Sequence, residues 1–345
     1  MRRLIIGMET LACLVAVACG SDSPTGPEFA PEPPASTVPA YKIAYTASSP
    51  TSVFVIESGK ATRTVLPGGS GTAVQPVWSP TGKRLAFTTV STTQTLFVWD
   101  SDTNVLTQVA SLVPATACSK GSCTVVEPPF SSAWSSDGSR LAFLASGTLR
   151  IATFDGSATK VISSPAVLAV ANTLRWSYDG ASLLFATDGS ILSVPVSGAA
   201  AFSTVATGLE SGAFVRGFEL SPDGKKIAIT TTTNAFPTTA KLYIWDVASG
   251  TRITVDASSF FAPAWSPDGT QVAVSSGAVY VVNRDGSNFR RVTSESMSGR
   301  VAWLPDGLNI VYAASQQRGI AIANVVGGAV QLLGNGSAEF AVASR

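Results

Sequence analysis

The 345-residue sequence contains no histidine. This absence removes the commonest general base and metal ligand, and it disfavours Ser-His-Asp triads, Cys-His pairs and His-rich metal sites. Charged residues are also scarce, at 13% of the chain, and 23 Lys and Arg against 22 Asp and Glu leave a formal charge of +1. Without a basic surplus to neutralise phosphates, nucleic acid is not an expected partner.

Catalytic motifs are missing as well. The sequence has no Gly-x-Ser-x-Gly elbow, no phosphate-binding loop and no dinucleotide fingerprint. It also lacks any stretch with sustained helical periodicity. We therefore expect an all-β protein with no cofactor and no metal site.

The N-terminus has the pattern of an export signal over residues 1–18. Arg2 and Arg3 precede a short apolar run, Leu11–Ala18, which is too short for a comfortable membrane span. The segment Ala16-Val17-Ala18-Cys19 resembles a bacterial lipobox, which implies cleavage before Cys19, lipidation of that cysteine and, because Gly20 follows it, sorting to the outer membrane. The alternatives are a lipobox at Cys13 and a secretory signal without lipid.

Residues 19–40 are rich in proline and lack periodicity. Such a segment cannot bury a core, so we interpret it as a semi-rigid spacer that follows the lipidated cysteine. The remaining residues, 41–345, form the predicted folded domain.

A repeat organises this domain. Six segments align without gaps, among them PVWSPTGKRLAFTT from Pro76 and PAWSPDGTQVAVSS from Pro263. Their anchor residues are spaced by 56, 42, 44, 45 and 38 residues and are Trp78, Trp134, Trp176, Leu220, Trp265 and Trp303. Each unit predicts four short strands, with the anchor ending the first strand and an Asp-Gly turn following it. This period, with four strands per unit, is typical of propeller blades.

The two ends of the chain are predicted to share one blade. Residues 42–46 and 53–56 match the second and third strands of the repeat, but no first strand precedes them. The missing strand is found near Val342, 39 residues after Trp303. Pairing of this C-terminal strand with the N-terminal blade would close the ring and hide its edges. The prediction is a seven-bladed β-propeller, with six or eight blades as alternatives.

The WSPDG pattern followed by LAF resembles the WD-like repeats of TolB-type propellers, over about residues 41–345. The resemblance implies the fold and an envelope location. TolB proteins also carry an additional N-terminal domain where this chain has only the spacer, so the TolB role itself is not transferred.

The repeated carboxylates and tryptophans each have two interpretations. Five aspartates could gather a cation or act in acid–base chemistry, but each precedes a turn glycine, which favours a role in the turn: Asp137, Asp179, Asp223, Asp268 and Asp306. The anchor tryptophans are interpreted as packing between blades in preference to a sugar-stacking platform.

Two loops are candidate partner-binding elements. Cys118 and Cys123 lie in an insertion between the first two anchors and are predicted to form a disulfide, in preference to a metal pair or a redox dithiol. A loop pinned in this way makes Lys120 and Phe130 candidates for binding. A second long loop, 231–240, makes Phe236 a third candidate. Phe214, Phe260 and Phe261 are either further anchors for a partner or packing residues.

We expect a non-catalytic, lipid-anchored lipoprotein that binds an envelope protein or polysaccharide and touches the membrane only through its lipid. It is expected at the outer membrane, facing the periplasm or the cell surface. The alternative is a propeller enzyme of lyase or lactonase type, with a metal or carboxylate site in the central channel. Glu210, Glu219 and Glu295 are its residual candidates, although they form no pattern in the sequence.

Overall fold

The computed structural model describes most of the repeat region. The residues described are 40–46, 52–60, 64–66, 72–112, 116–119, 122–125, 131–145, 148–162, 173–187, 189–198, 202–233, 239–257, 260–294, 297–314, 319–328, 330–335 and 340–344. The predicted signal, Cys19 and all but the last residue of the spacer lie outside these ranges, as do Lys120, Phe130 and Phe236. None of the described residues forms a helix long and apolar enough to cross a membrane.

The described residues form thirty strands and no helix. Blade 1 begins with β1 (Tyr41–Thr46), β2 (Val53–Glu57) and β3 (Thr64–Val65). Blade 2 contains β4 (Thr72–Trp78), β5 (Arg84–Val90), β6 (Gln94–Asp100) and β7 (Val105–Leu112). A two-stranded hairpin follows, β8 (Thr116–Ser119) and β9 (Ser122–Val125). Blade 3 contains β10 (Ser131–Trp134), β11 (Arg140–Ala145), β12 (Thr148–Thr153) and β13 (Thr159–Val161).

The remaining blades repeat this meander. Blade 4 contains β14 (Arg175–Trp176), β15 (Ser182–Ala186), β16 (Ile191–Pro195) and β17 (Ser203–Ala206). Blade 5 contains β18 (Ala213–Leu220), β19 (Lys226–Thr233), β20 (Ala240–Asp246) and β21 (Arg252–Ala257). Blade 6 contains β22 (Ala264–Trp265), β23 (Gln271–Ser275), β24 (Val279–Asn283) and β25 (Arg290–Arg291). Blade 7 contains β26 (Met297–Trp303), β27 (Asn309–Ala314), β28 (Gly319–Asn324) and β29 (Val330–Asn335), and the last strand is β30 (Phe340–Ser344).

The last strand closes the ring. β30 pairs antiparallel with β1, with Val342 opposite Ile43, so blade 1 has the order β3-β2-β1-β30. The innermost strand of blade 1 therefore comes from the C-terminus, and it contacts the innermost strands of blades 2 and 7. The predicted seven-bladed propeller and its closure by the C-terminal strand are both confirmed.

The anchor tryptophans pack between blades, as predicted. Each lies in a cluster with apolar residues of the preceding blade; Trp265, for example, packs with Leu242 and Ile244. Four of these tryptophans also donate their indole N–H to a backbone carbonyl of the preceding blade. The acceptor is in each case the residue immediately before that blade's anchor. These bonds are 2.9–3.1 Å long and run from Trp134 to Val77, Trp176 to Ala133, Trp265 to Glu219 and Trp303 to Ala264. One residue type therefore links neighbouring blades by both packing and a hydrogen bond.

Blade 5 departs from this pattern because Leu220 occupies its anchor position. Leucine has no donor to bond the carbonyl of Arg175, and its side chain is half-buried against Leu184 and Ile227. The residue that closes the seam between blades 4 and 5 is therefore smaller than the tryptophan that fills the corresponding seams.

Candidate functional site

An axial cavity lies where the innermost strands of the blades meet. It encloses about 570 Å³ and is lined by the innermost strands or adjoining residues of six blades. The turns that join the first two strands of several blades also line it, including Pro80, Ser136 and Pro222. The cavity therefore opens on the face of the ring that carries these turns, which we call the turn face. Its volume is within the range typical of small-molecule sites.

Three charged residues line this cavity. Arg175 belongs to β14, Glu219 to β18 and Arg300 to β26, so three different blades bring them together. Both guanidinium groups interact electrostatically with the Glu219 carboxylate. The Arg175 guanidinium also donates to the carbonyl of Leu174 at 2.8 Å and lies 5.8 Å from the centre of the Phe218 ring. These contacts hold the Arg175 guanidinium against the cavity wall.

Glu219 has an unusual protonation equilibrium. Removal from bulk solvent raises the pKa of its carboxyl to about 7, although Arg175 and Arg300 favour the charged form and oppose this increase. Burial likewise lowers the pKa of Arg175, while Glu219 opposes the decrease. A carboxyl that titrates near neutrality in a cavity is a common feature of functional sites.

The other lining residues are uncharged. Gln75 has a φ of 55° at a β-bulge in β4, and the structure buries it at the axis. Ser132 adds a hydroxyl from β10, and Trp134, Trp176 and several prolines supply apolar wall. A largely apolar cavity with a few converging polar groups can bind a small molecule or a protruding side chain of a partner.

A second, smaller pocket adjoins the cavity at the seam between blades 4 and 5. It encloses about 320 Å³ and shares Ser177, Tyr178 and Leu220 with the axial cavity. Its apolar wall also includes Leu184 and Ile227, while the ring of Tyr178 lies over Gly224 and is 67% exposed. We call this space the seam pocket; it lies where an anchor tryptophan is replaced by Leu220.

The repeated aspartates serve the turns, as predicted. Asp137, Asp179, Asp223 and Asp268 each accept a hydrogen bond of 2.6 Å from the serine two residues earlier and another from a turn amide. Asp306 accepts from two amides. The glycines that follow have φ between 65° and 69°, a conformation that side chains disfavour. Hydrogen bonds from Ser135 and Ser139 lower the pKa of Asp137 to about 2. Among the described residues, no three His, Cys, Asp or Glu side chains are placed to hold a metal ion.

The other sequence candidates are dispersed. Glu210 forms an ion pair with Lys241 at 3.5 Å, and Glu295 lies outside the described residues. Phe260 is buried and meets Phe289 edge to face, whereas Phe214 is 36% exposed on β18. Of Glu210 and Glu219, the two candidate glutamates that the structure describes, Glu219 alone lines the axial cavity.

The insertion forms the β8–β9 hairpin, whose register places Cys118 opposite Cys123. Directly opposed residues of antiparallel strands have Cα separations that a disulfide can span. The disulfide itself remains a prediction. The hairpin joins β7 to β10, and the 231–240 segment joins β19 to β20. In an up-and-down meander the described strand ends on either side of these connections, Leu112 and Ser131 for the first and Thr233 and Ala240 for the second, lie at the edge opposite the turn face.

Neither Arg175 nor Arg300 was identified from the sequence, and Glu219 was considered only as a candidate that formed no pattern with other residues. A signal for two of them exists in the repeat. The residue immediately before the anchor is small or aliphatic in four blades, namely Val77, Ala133, Ala264 and Ala302, but it is Arg175 in blade 4 and Glu219 in blade 5. Because five of these six residues line the cavity, all but Ala264, a charged residue at this position marks the cavity.

Comparison with known proteins supports the fold. No protein-family model matches the sequence, and neither does any curated protein. Similar solved structures include TolB from Acinetobacter baumannii, with a TM-score of 0.54, 18% identity and coverage of 73% of this chain and 62% of TolB. The hydrazine synthase of Kuenenia stuttgartiensis has a TM-score of 0.53, 17% identity and coverage of 78% and 80%. A nidogen/laminin complex contains a chain with a TM-score of 0.51, 9% identity and coverage of 88% and 97%.

These similarities establish a seven-bladed propeller of TolB-like fold. At this level of identity they show architecture alone.

Proposed function

We propose that this chain is an envelope lipoprotein that uses the axial cavity of its propeller to bind a protein or polysaccharide partner without catalysing a reaction. The observation that carries this proposal is the cavity itself, a concave site held by a closed ring and lined by Arg175, Glu219 and Arg300. The turn aspartates are already engaged in their own turns, which leaves Glu219 as the single carboxylate among the described lining residues.

The envelope location is supported by the export signal of the sequence and by the TolB-like fold. The lipid anchor rests on the lipobox-like segment that ends at Cys19. The test is intact mass and membrane partitioning after expression in a Gram-negative host. We expect wild type to carry a diacyl or triacyl mass on Cys19, and Cys19→Ala to be soluble. If both forms are soluble and cleaved elsewhere, the anchor is wrong.

The binding role is tested by gentle crosslinking in the native host. We expect an envelope protein or polysaccharide to co-purify with wild type and to be depleted when Arg175 and Arg300 are both changed to glutamine. The matched control is Arg252→Gln on the outer strand β21, which removes the same charge away from the cavity. Equal recovery of the partner with all three proteins would place binding elsewhere on the ring.

An enzyme of lyase or lactonase type is the second candidate, and one observation favours it. Glu219 lies in the central cavity with a pKa of about 7, which suits a general acid or base at neutral pH. The test is turnover of lactones and acidic polysaccharides by purified protein. Activity that Glu219→Gln abolishes would establish the enzyme, and absence of turnover supports the non-catalytic role.

A further inference from the structure

The charged residues of the axial cavity are two arginines and one glutamate. Two guanidinium groups, Arg175 and Arg300, face one carboxyl, Glu219. The other innermost strands contribute uncharged lining residues such as Gln75 and Ser132. The seventh, β30, has the sequence FAVAS, which contains no ionisable side chain, and Glu339 before it lies outside the described residues. The described lining of the axial cavity therefore carries one net positive charge when Glu219 is ionised and two when it is protonated. Asp179 lines the adjoining seam pocket and adds one negative charge to the combined lining.

The seam pocket lies beside this charged group and has one apolar wall, while Asp179 and three serines form its polar part. Leu220, Ser177 and Tyr178 line both spaces, and Leu220 directly follows Glu219 in β18. At the seams that have an anchor tryptophan, its indole fills the space between the blades. At the seam between blades 4 and 5, the smaller Leu220 leaves about 320 Å³ open beside Leu184 and Ile227. An apolar group that enters this space buries surface against Leu184, Leu220 and Ile227.

We propose that the two spaces together bind a monocarboxylate with an apolar body, its carboxylate between Arg175 and Arg300 and its body in the seam pocket. A guanidinium binds a carboxylate through paired, charge-assisted hydrogen bonds. With Asp179 included, the combined lining carries one net positive charge when Glu219 is protonated and none when it is ionised, which favours a carboxylate over a phosphate dianion. This inference rests on the proposed function, because it names the chemistry that the same cavity recognises.

Protonation of Glu219 couples this binding to pH. The charged groups that face its carboxyl are Arg175 from β14 and Arg300 from β26, and both attract it. When Glu219 is ionised it competes with the ligand carboxylate for these two cations. We therefore expect tighter binding at pH 5.5 than at pH 8, and a smaller difference in Glu219→Gln.

The test is calorimetric titration of the purified propeller with phenylacetate, phenylacetamide and phenyl phosphate. These probes share a phenyl body and differ in their head group. We expect phenylacetate to bind at least ~tenfold more tightly than the neutral amide, the size of one charge-assisted hydrogen bond. We also expect it to bind more tightly than phenyl phosphate. Equal affinity for acid and amide, or a preference for the phosphate, would overturn the proposal.

Three variants separate the two halves of the site. Arg175→Gln and Arg300→Gln should each weaken phenylacetate binding about tenfold, while Arg252→Gln leaves it unchanged. Leu220→Trp should weaken both phenylacetate and phenylacetamide because it fills the seam pocket. Glu219→Gln should strengthen phenylacetate binding at pH 8, a gain that misfolding cannot produce. Unchanged affinity in the arginine variants or in Leu220→Trp contradicts the proposal. Partner crosslinking that persists while phenylacetate fails to bind would refute this inference and leave the proposed function intact.

Discussion

Glu219 gives the sharpest test of the cavity's electrostatics, because its protonation is coupled to folding. Its carboxyl titrates at about 7 in the folded protein, against an ordinary value of 4.5. The fold therefore favours the protonated form. The stability that this provides is present below about pH 4.5 and is lost as the pH rises toward 7. At 1.36 kcal/mol for each pH decade, the loss is on the order of 3 kcal/mol.

The perturbation is Glu219→Gln, which keeps the shape of the side chain but cannot ionise. Variant and wild type are unfolded in urea at several pH values between about 4 and 8, with tryptophan fluorescence as the signal. The free energy of unfolding of the variant, minus that of wild type, should rise by about 3 kcal/mol across this range. Comparing two proteins at each pH cancels the contribution of the turn aspartates, which titrate at lower pH in both.

A control substitution that removes no ionisable group, Thr232→Val on the neighbouring strand β19, should give a difference that does not vary with pH. The reasoning fails if the Glu219→Gln difference is also flat between about pH 4 and pH 8. Such a result would mean that the carboxyl is solvated at the axis. The same result would remove the main support for an acid–base role.

Three further predictions concern the ring itself. Leu220→Trp should raise the free energy of unfolding by about 1 to 2 kcal/mol, because an indole N–H can reach the carbonyl of Arg175 as four of the five anchor tryptophans do in their seams; lower stability in urea would contradict this. Removal of residues 340–345 should lower the free energy of unfolding by at least about 3 kcal/mol, because β1 loses its β30 partner and the ring opens. Removal of Arg345 alone should have no effect. Unchanged melting of the chain that lacks residues 340–345 would contradict closure of the ring by β30. Cys118 and Cys123 should resist alkylation until the protein is reduced, as mass spectrometry can show; labelling without reductant would refute the disulfide.

The fold was accessible from the sequence because its determinants repeat. The anchor tryptophan and the Asp-Gly turn perform the same local task in successive blades, so spacing alone located the first and second strands. Closure was also predictable, since Val342 follows Trp303 at the spacing of the repeat.

The site was not accessible in the same way because its residues do not repeat. Arg175, Glu219 and Arg300 come from three different blades, and their proximity depends on the ring being closed. Their position immediately before the anchor distinguishes Arg175 and Glu219 from surface charges, but no such feature marks Arg300. Glu210 and Glu219 illustrate this point: the two are nine positions apart, yet one pairs with Lys241 and the other lines the axis.

The central claim is that partners bind at the axial cavity, and site-specific photocrosslinking tests it most directly. A photoreactive residue replaces either Ser136 at the cavity mouth or Thr159 on β13, the outermost strand of the same blade; both positions are exposed. After irradiation in the native host, the account predicts a discrete envelope adduct from position 136 and none from position 159. An adduct from position 159 alone, or equal adducts from both, would contradict binding at the axis.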